Sequence, residues 1–224
     1  MKPPVEKHMR YFELLDALQK AKGCAICEME DRSARQYLAS LLYERVNDPD
    51  TRAELVRSRG FCARHAEALL DLGDGFGTAV LYQDQAGLAV EFLRSLAPFR
   101  GKTVAQKALT LWNGHTPCPV CELEEQDNRS RLHTLFTRLS EPELREAFEC
   151  SAGLCMPHLL QGLTLGQDPA LLQYLVDLHI QKWSELFQAL SEYCRKHDHR
   201  FSKEPFGDEK DAWRRCVHML VRHT

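Results

Sequence analysis

Apolar residues recur at intervals of three and four positions along most of the chain. Residues 11–18 show this spacing clearly, and it places the apolar side chains on one face of a helix. Residues 37–42, 79–96 and 171–190 follow the same pattern. Alternating runs of Val, Ile and Thr, which are typical of strands, are absent from the sequence. The pattern therefore predicts an all-α fold.

The chain contains one composite motif twice. Residues 24–27 (CAIC) match residues 118–121 (CPVC), and residues 60–65 (GFCARH) match residues 153–158 (GLCMPH). The half-motifs are separated almost equally, because Cys62 follows Cys27 by 35 positions and Cys155 follows Cys121 by 34. Such self-similarity is the signature of repeated structural units. We expect two tandem helical repeats, at residues 1–100 and 101–196.

The C-terminal segment, residues 197–224, has no counterpart in the first repeat. Pro205 prevents a helix from running through residues 201–206. Residues 208–221 read as a terminal helix with Trp213, Val217 and Leu220 on one side. We expect this helix to cap the repeats and to bury Trp213 against them.

The residue types of the repeated motif are those of a metal site. Structural zinc takes four ligands in a tetrahedron and prefers thiolate and imidazole. A CxxC pair and a CxxH pair supply three sulfurs and one ring nitrogen, so the sequence predicts one closed Cys3His site in each repeat. The two sites would hold two Zn²⁺ ions. The eight predicted metal ligands are Cys24, Cys27, Cys62, His65, Cys118, Cys121, Cys155 and His158.

Two other chemistries use similar residues. Iron–sulfur clusters at the same ligands are the main alternative, although ligation by cysteine alone is the commoner pattern for them. A thioredoxin-like dithiol ranks below both, because the βαβ context that it requires is missing from the pattern. It would also leave the CxxH pairs unexplained.

Several polar residues near the motif have two interpretations. Asp84 and Asp177 each lie 19 positions after the ligand histidine, and they are either carboxylates that orient its ring or ordinary surface side chains. The acidic residues after each CxxC are expected to interact with the helix dipole and with solvent. The remaining cysteines are interpreted as partly buried thiols outside the sites: Cys150, Cys194 and Cys216.

Composition narrows the class of protein. The 224 residues carry a net charge of −3 and no long basic run, which argues against a dedicated nucleic-acid surface. No apolar run approaches the length of about 18 residues needed for a membrane span, and residues 1–8 lack a secretory leader. We therefore expect a cytoplasmic protein, whose nine cysteines stay reduced.

The motifs resemble those of a family of bacterial proteins of unknown function. Its members pair CxxC with Gly-x-Cys-x-x-His in two units. They end in a Lys-Glu-Pro segment followed by Asp-Glu and Asp-x-Trp, which stand here at residues 203–205, 208–209 and 211–213. The resemblance covers nearly the whole chain and implies a bacterial, cytoplasmic origin. It implies no activity.

A closed set of four ligands leaves no position for substrate, which a catalytic zinc requires. Phosphate-binding loops, nucleophile elbows and HExxH motifs are absent from the sequence. We therefore expect a non-enzymatic interaction or regulatory module with a protein partner. The alternatives are an iron–sulfur redox or sensing protein and a thiol-dependent enzyme with Cys155 or Cys62 as its nucleophile.

Overall fold

A computed structural model describes residues 9–97, 101–201 and 203–221. This part of the chain is helical and contains no β-strand, so the prediction of an all-α fold is confirmed. The expectation for the leader falls on residues 1–8 and lies outside the described residues.

The helices follow one another with short connections. The first five are α1 (Met9–Lys20), α2 (Ala25–Ser40), α3 (Pro49–Ser58), α4 (Ala63–Leu70) and α5 (Gly75–Ser95). The others are α6 (Lys102–Asn113), α7 (Pro119–Arg138), α8 (Pro142–Cys150), α9 (Met156–Leu165), α10 (Pro169–Lys196) and α11 (Ala212–Leu220). A π-helical turn, Leu41–Arg45, prolongs α2, and a 3₁₀ turn, Asp208–Asp211, precedes α11.

Local sequence explains where several helices begin. Asp48 precedes α3, and its carboxylate accepts a hydrogen bond from the backbone N–H of Thr51 at 2.9 Å. Asp168 does the same at the start of α10, where it accepts from the N–H of Ala170 at 3.0 Å. In both helices a proline holds the first position, where its missing N–H costs nothing. The Asn-Asp-Pro and Gln-Asp-Pro turns of the sequence are therefore helix starts.

The chain is organised as two compact units. Unit 1 combines Met1–Glu30 with Asp127–Thr224, and unit 2 is Asp31–Gln126. Their limits differ from the ranges 1–100, 101–196 and 197–224 that the sequence repeat suggests. Both α2 and α7 pass from one unit to the other along the chain, so each contributes its CxxC end and its remaining turns to different units.

Each unit has an apolar core of its own. The core of unit 1 is formed by α1, α8 and α9 with the end of α7, and it includes the fully buried Leu14, Leu135 and Phe148. The core of unit 2 is formed chiefly by α2, α3, α4 and α5, and it includes the buried Leu38 and Leu69. The core of unit 1 includes Cys24, Cys27 and Cys155 of the repeated motifs, and the core of unit 2 includes Cys118.

The C-terminal segment packs within unit 1, where α11 contacts α10 and α9. Lys196 at the end of α10 holds this segment: its ammonium donates to Glu209 at 2.6 Å and to the carbonyl of Pro205 at 2.8 Å. The expectation that α11 buries Trp213 is wrong, because this residue is 44 % exposed while Ala212 and Met219 are buried. Ala212 and Met219, seven positions apart, lie on the inward face of α11, and Trp213 lies off that face.

Candidate metal centres

The ligand residues lie at the first turns of four helices. Cys24 and Cys118 directly precede α2 and α7, and the second cysteine of each CxxC lies within the first turn. Cys62 and Cys155 are the N-cap residues of α4 and α9. N–H groups at a helix start lack partners within the helix and favour negative charge. These positions therefore suit thiolates.

The glycine of each Gly-x-Cys-x-x-His motif is required by the backbone. Gly60 has φ +84° and Gly153 has φ +80°, a region that side chains with a Cβ adopt only with strain. There is also little room for a side chain at either position. A Cβ at Gly60 would lie 3.3 Å from the ring of Tyr82, and one at Gly153 would lie 3.1 Å from Nε2 of His179.

His179 supports the second of these motifs. It is buried, and its Nε2 accepts a hydrogen bond from the backbone N–H of Leu154 at 2.9 Å. Its Nδ1–H donates to the carbonyl of Leu175 at 2.7 Å. Burial lowers the pKa of His179, which favours the neutral ring that this bonding pattern needs. His179 thus fixes the residue next to Cys155.

Centre 1 brings together four buried ligands from unit 1: Cys24, Cys27, Cys155 and His158. Nδ1 of His158 faces all three sulfurs, at 3.5 Å from Cys24, 3.4 Å from Cys27 and 3.2 Å from Cys155. The sulfurs of Cys27 and Cys155 are 3.6 Å apart. The ring nitrogen therefore completes a compact group with the thiols.

Centre 2 repeats this arrangement in unit 2 with Cys62, His65, Cys118 and Cys121. Nδ1 of His65 lies 3.2 Å from the sulfur of Cys62, 3.4 Å from Cys118 and 3.5 Å from Cys121. The sulfurs of Cys62 and Cys121 are 3.6 Å apart. Cys118 and His65 are buried, whereas Cys62 and Cys121 are half-buried.

Both centres have the dimensions of a tetrahedral metal site. With metal–sulfur bonds of about 2.3 Å and metal–nitrogen bonds of about 2.0 Å, the edges of a tetrahedron are about 3.8 Å between sulfurs and about 3.5 Å between sulfur and nitrogen. The observed separations lie close to these edges, and within each centre all four donor atoms lie within 4.8 Å of one another. The residues fit a single bound ion.

The predicted pairing of the half-motifs is wrong, although all eight predicted residues are brought into the centres. Each CxxC meets the CxxH of the other repeat: residues 24 and 27 join 155 and 158, and residues 118 and 121 join 62 and 65. From Ala25 to Arg45 the helix advances about 30 Å and carries the chain from unit 1 into unit 2. Cys62 and His65 then pack in unit 2 with Cys118 and Cys121, whereas Cys155 and His158 pack in unit 1 with Cys24 and Cys27.

A buried carboxylate faces the outer nitrogen of each histidine. Nε2 of His65 lies 3.0 Å from Oε1 of Glu124. Nε2 of His158 lies 3.4 Å from Oε2 of Glu30. Both glutamates are almost fully buried, with exposures of 1 % and 2 %. A carboxylate that accepts from Nε2–H leaves Nδ1 unprotonated and directed at the metal.

These glutamates correct two sequence interpretations. Glu30 and Glu124 were expected to interact with solvent and with the helix dipole, but they lie inside the protein. Asp84, which was one candidate for this task, instead pairs with Arg52 through two bonds of 2.7 Å. Asp177 is exposed and accepts from Gln173 at 2.9 Å. One signal could have identified the glutamates: each lies three residues after the second cysteine of a CxxC, on the same helix face.

Each buried glutamate has a further polar partner. The guanidinium of Arg64 donates to Glu124, and its other nitrogen lies 3.7 Å from Asp31. At centre 1 the side-chain amide of Asn128 donates to Glu30. Because an isolated buried carboxylate is costly, these contacts offset the cost of burying both glutamates beside the centres.

The pKa values of the cysteines differ within each centre. In centre 1, hydrogen bonds from Cys155 and Cys27 and the nearby ring of His158 hold the pKa of Cys24 well below its usual range, whereas hydrogen bonding with Cys155 and Cys24, together with burial, raises the pKa of Cys27. In centre 2, burial acts to raise the pKa of Cys118, but bonds from His65 and from backbone N–H groups outweigh it and lower that pKa to about 7. Burial and the neighbouring Cys118 raise the pKa of Cys121. Without a metal, each CxxC pair therefore favours one thiolate, and a bound cation would favour deprotonation of the second cysteine.

The pKa values of both histidines in the centres are raised. Burial acts to lower the pKa of His65, but contacts with Cys118 and Glu124 outweigh it and raise the pKa to about 9. The corresponding contacts of His158, with Cys155, Cys24 and Glu30, overcome burial and raise its pKa to about 11. Without a metal, each centre therefore favours a positive ring next to negative sulfur. A bound cation would replace that proton.

The other cysteines stay outside the centres. Cys150 and Cys194 are exposed and Cys216 is half-buried. Within the described ranges, centres 1 and 2 are the groups of three or more His, Cys, Asp or Glu side chains arranged to hold a metal. In the same ranges, no helix is both long and apolar enough to cross a membrane.

Residues 5–224 match the family of unknown function DUF6062, and the chain belongs to this family. The family covers nearly the whole chain, which confirms the expected resemblance to a family of unknown function. Comparisons with curated proteins and with solved structures gave no significant match.

Proposed function

We propose that this member of the DUF6062 family binds one Zn²⁺ ion at each centre and that the two ions stabilise its helical fold. The observation that carries the proposal is the convergence of four donor atoms within 4.8 Å at each of two places. Three thiolates and one imidazole are a donor set that structural zinc prefers.

The donor separations favour a single ion over an iron–sulfur cluster. In a cluster the protein ligands bind different iron atoms, which are themselves separated by bridging sulfides. Protein sulfurs around a cluster must therefore lie further apart than the edges of one small tetrahedron. The sulfurs of Cys27 and Cys155, and those of Cys62 and Cys121, are 3.6 Å apart. Such a distance suits two ligands of one ion.

A structural role follows from the closed ligand set. Four protein ligands fill the tetrahedron, so substrate or water has no position on the metal. Cys155, one candidate nucleophile, has no exposed surface, which argues against a thiol-dependent enzyme that uses it. Each metal instead joins two motifs that are distant in sequence, so its binding free energy contributes to folding.

As part of the same proposal, the protein acts as an interaction or regulatory module with a protein partner. A closed ligand set leaves no catalytic position on the metal, so a role in binding a partner suits it better than catalysis. A cytoplasmic location belongs to the proposal as well, because thiolate ligands have to stay reduced and the cytosol keeps thiols in that state.

Metal analysis of protein purified without oxygen tests the zinc proposal. Two zinc ions per chain and a colourless solution are the expected result. Brown protein that contains iron and sulfide would support the iron–sulfur alternative instead of zinc. Red protein that contains iron but no sulfide would indicate mononuclear iron at the same ligands. Protein without metal, but with one strongly reactive thiol, would support the thiol-dependent enzyme.

A further inference from the structure

The two centres differ in exposure although their ligands are the same. In centre 1, Cys24, Cys27 and Cys155 belong to the buried core of unit 1, with exposures of 4 %, 8 % and 0 %. In centre 2 only Cys118 belongs to the buried core, while Cys62 and Cys121 are half-buried at its edge. The cysteines of centre 2 are therefore more open to small reagents in solution than those of centre 1.

The two accessible sulfurs are also neighbours. Sγ of Cys62 and Sγ of Cys121 lie 3.6 Å apart. A disulfide needs this separation to shorten to about 2.05 Å, a movement that neighbouring ligands can make once they leave the metal. Cys27 and Cys155 have the same separation, so proximity alone does not distinguish the centres. The greater exposure of Cys62 and Cys121 does distinguish them.

We propose that centre 2 is a redox-sensitive zinc site, from which a hydroperoxide releases the metal, whereas centre 1 keeps its zinc. This inference rests on the proposed binding of zinc to both centres. It assigns them different tasks: centre 1 holds the fold permanently, and centre 2 reports the oxidation state of its surroundings.

The chemistry balances with hydrogen peroxide as the oxidant. The thiolate of one accessible cysteine attacks a peroxide oxygen and becomes a sulfenic acid, and the hydroxide that leaves takes up a proton to give water. The second thiolate attacks the sulfenic sulfur, the S–S bond forms, and a second hydroxide leaves and is protonated. Two thiolates, one peroxide and two protons thus give one disulfide and two waters. Zinc leaves with only Cys118 and His65 still available.

Zinc release from the zinc-loaded chain tests the proposal, with a chromogenic zinc indicator and hydrogen peroxide. One zinc per chain should leave about ten-fold faster than the other, because oxidation follows thiolate exposure. Peptide mapping after alkylation should then find a Cys62–Cys121 disulfide, with Cys24, Cys27 and Cys155 still reduced. A thiol reductant with added zinc should restore the original metal content.

Two matched variants sharpen the test. Cys121→His keeps four ligands for zinc but removes one partner of the disulfide, so the fast release should disappear. Cys27→His makes the equivalent change at centre 1 and should leave the fast release unchanged. If either variant fails to fold, peptide mapping of the unmodified chain still decides the question.

The outcomes separate the two proposals. Zinc content is measured before peroxide is added, and a chain without zinc overturns the proposed function and with it the redox inference. With two zinc ions bound, release of both at one rate, release from centre 1 first, or a disulfide other than Cys62–Cys121 overturns the redox inference alone.

Discussion

Nε2 of His65 lies 3.0 Å from Oε1 of Glu124, and both side chains are buried. The carboxylate accepts from the ring, so the nitrogen that faces the three sulfurs is the one that is free to bind a metal. The same relationship links His158 to Glu30 at centre 1, at 3.4 Å. The candidate metal centres therefore extend one layer beyond the four residues that could bind the ion.

Replacing Glu124 by Gln is expected to weaken zinc binding at centre 2 about ten-fold, since losses of about 10–100-fold accompany the removal of such carboxylates. The amide keeps the shape of the side chain but accepts the ring N–H more weakly. Competition with a chelating dye measures the affinity. Glu125→Gln, an exposed neighbour on α7, is the control. Equal affinities of the two variants would show that Glu124 does not orient His65.

The crossed pairing of motifs makes a prediction about double variants. Cys27→Ser with Cys155→Ser changes two ligands of centre 1, so the chain should keep one zinc. Cys27→Ser with Cys62→Ser changes one ligand in each centre, so both sites should be impaired. Metal content per folded chain measures the difference. If the first double variant impaired both sites and the second kept one zinc, the motifs would pair within each repeat.

Removal of the metals should destabilise the protein strongly. Structural zinc contributes several kcal/mol per site, and about 1 kcal/mol shifts the melting temperature of a chain of this size by about 2–4 °C. We therefore expect a strong chelator to lower the melting temperature by about 10 °C or more, as followed by circular dichroism at 222 nm. Added zinc should reverse the shift. A melting temperature that does not change when the chelator is added would be incompatible with structural zinc.

Gly153→Ala tests the loop that places Cys155. The alanine would have to adopt φ +80° with its Cβ 3.1 Å from Nε2 of His179, so the free energy of unfolding should fall by about 1–3 kcal/mol. Gly87→Ala is the matched control: Gly87 lies within α5 with no neighbouring atom within 4 Å, and alanine there should stabilise by about 0.5–1 kcal/mol. Denaturant unfolding measures both. Equal changes in the free energy of unfolding for the two variants would show that glycine is not required at residue 153.

Residues outside the motif show the limits of a single sequence. The glutamates behind the histidines could have been found from their spacing, because Glu30 and Glu124 lie three positions after a ligand on the same helix. Trp213 could not have been placed in this way. The sequence pattern of α11 is amphipathic, but the residues that turn inward depend on how α11 packs against α9 and α10.

The sequence by itself determined the helical class, the eight residues of the candidate centres and their grouping into CxxC and CxxH pairs. These features depend on periodicity, on helix starts and on residues three positions apart, all of which are local. Only the tertiary structure decided which pairs meet. That choice depends on the long helices α2 and α7, which carry the chain from one unit to the other, and on how the core of each unit packs. The tertiary structure also decided that the cysteines of centre 1 are buried while two cysteines of centre 2 are half-buried, because burial is a property of the packed chain and not of the motif.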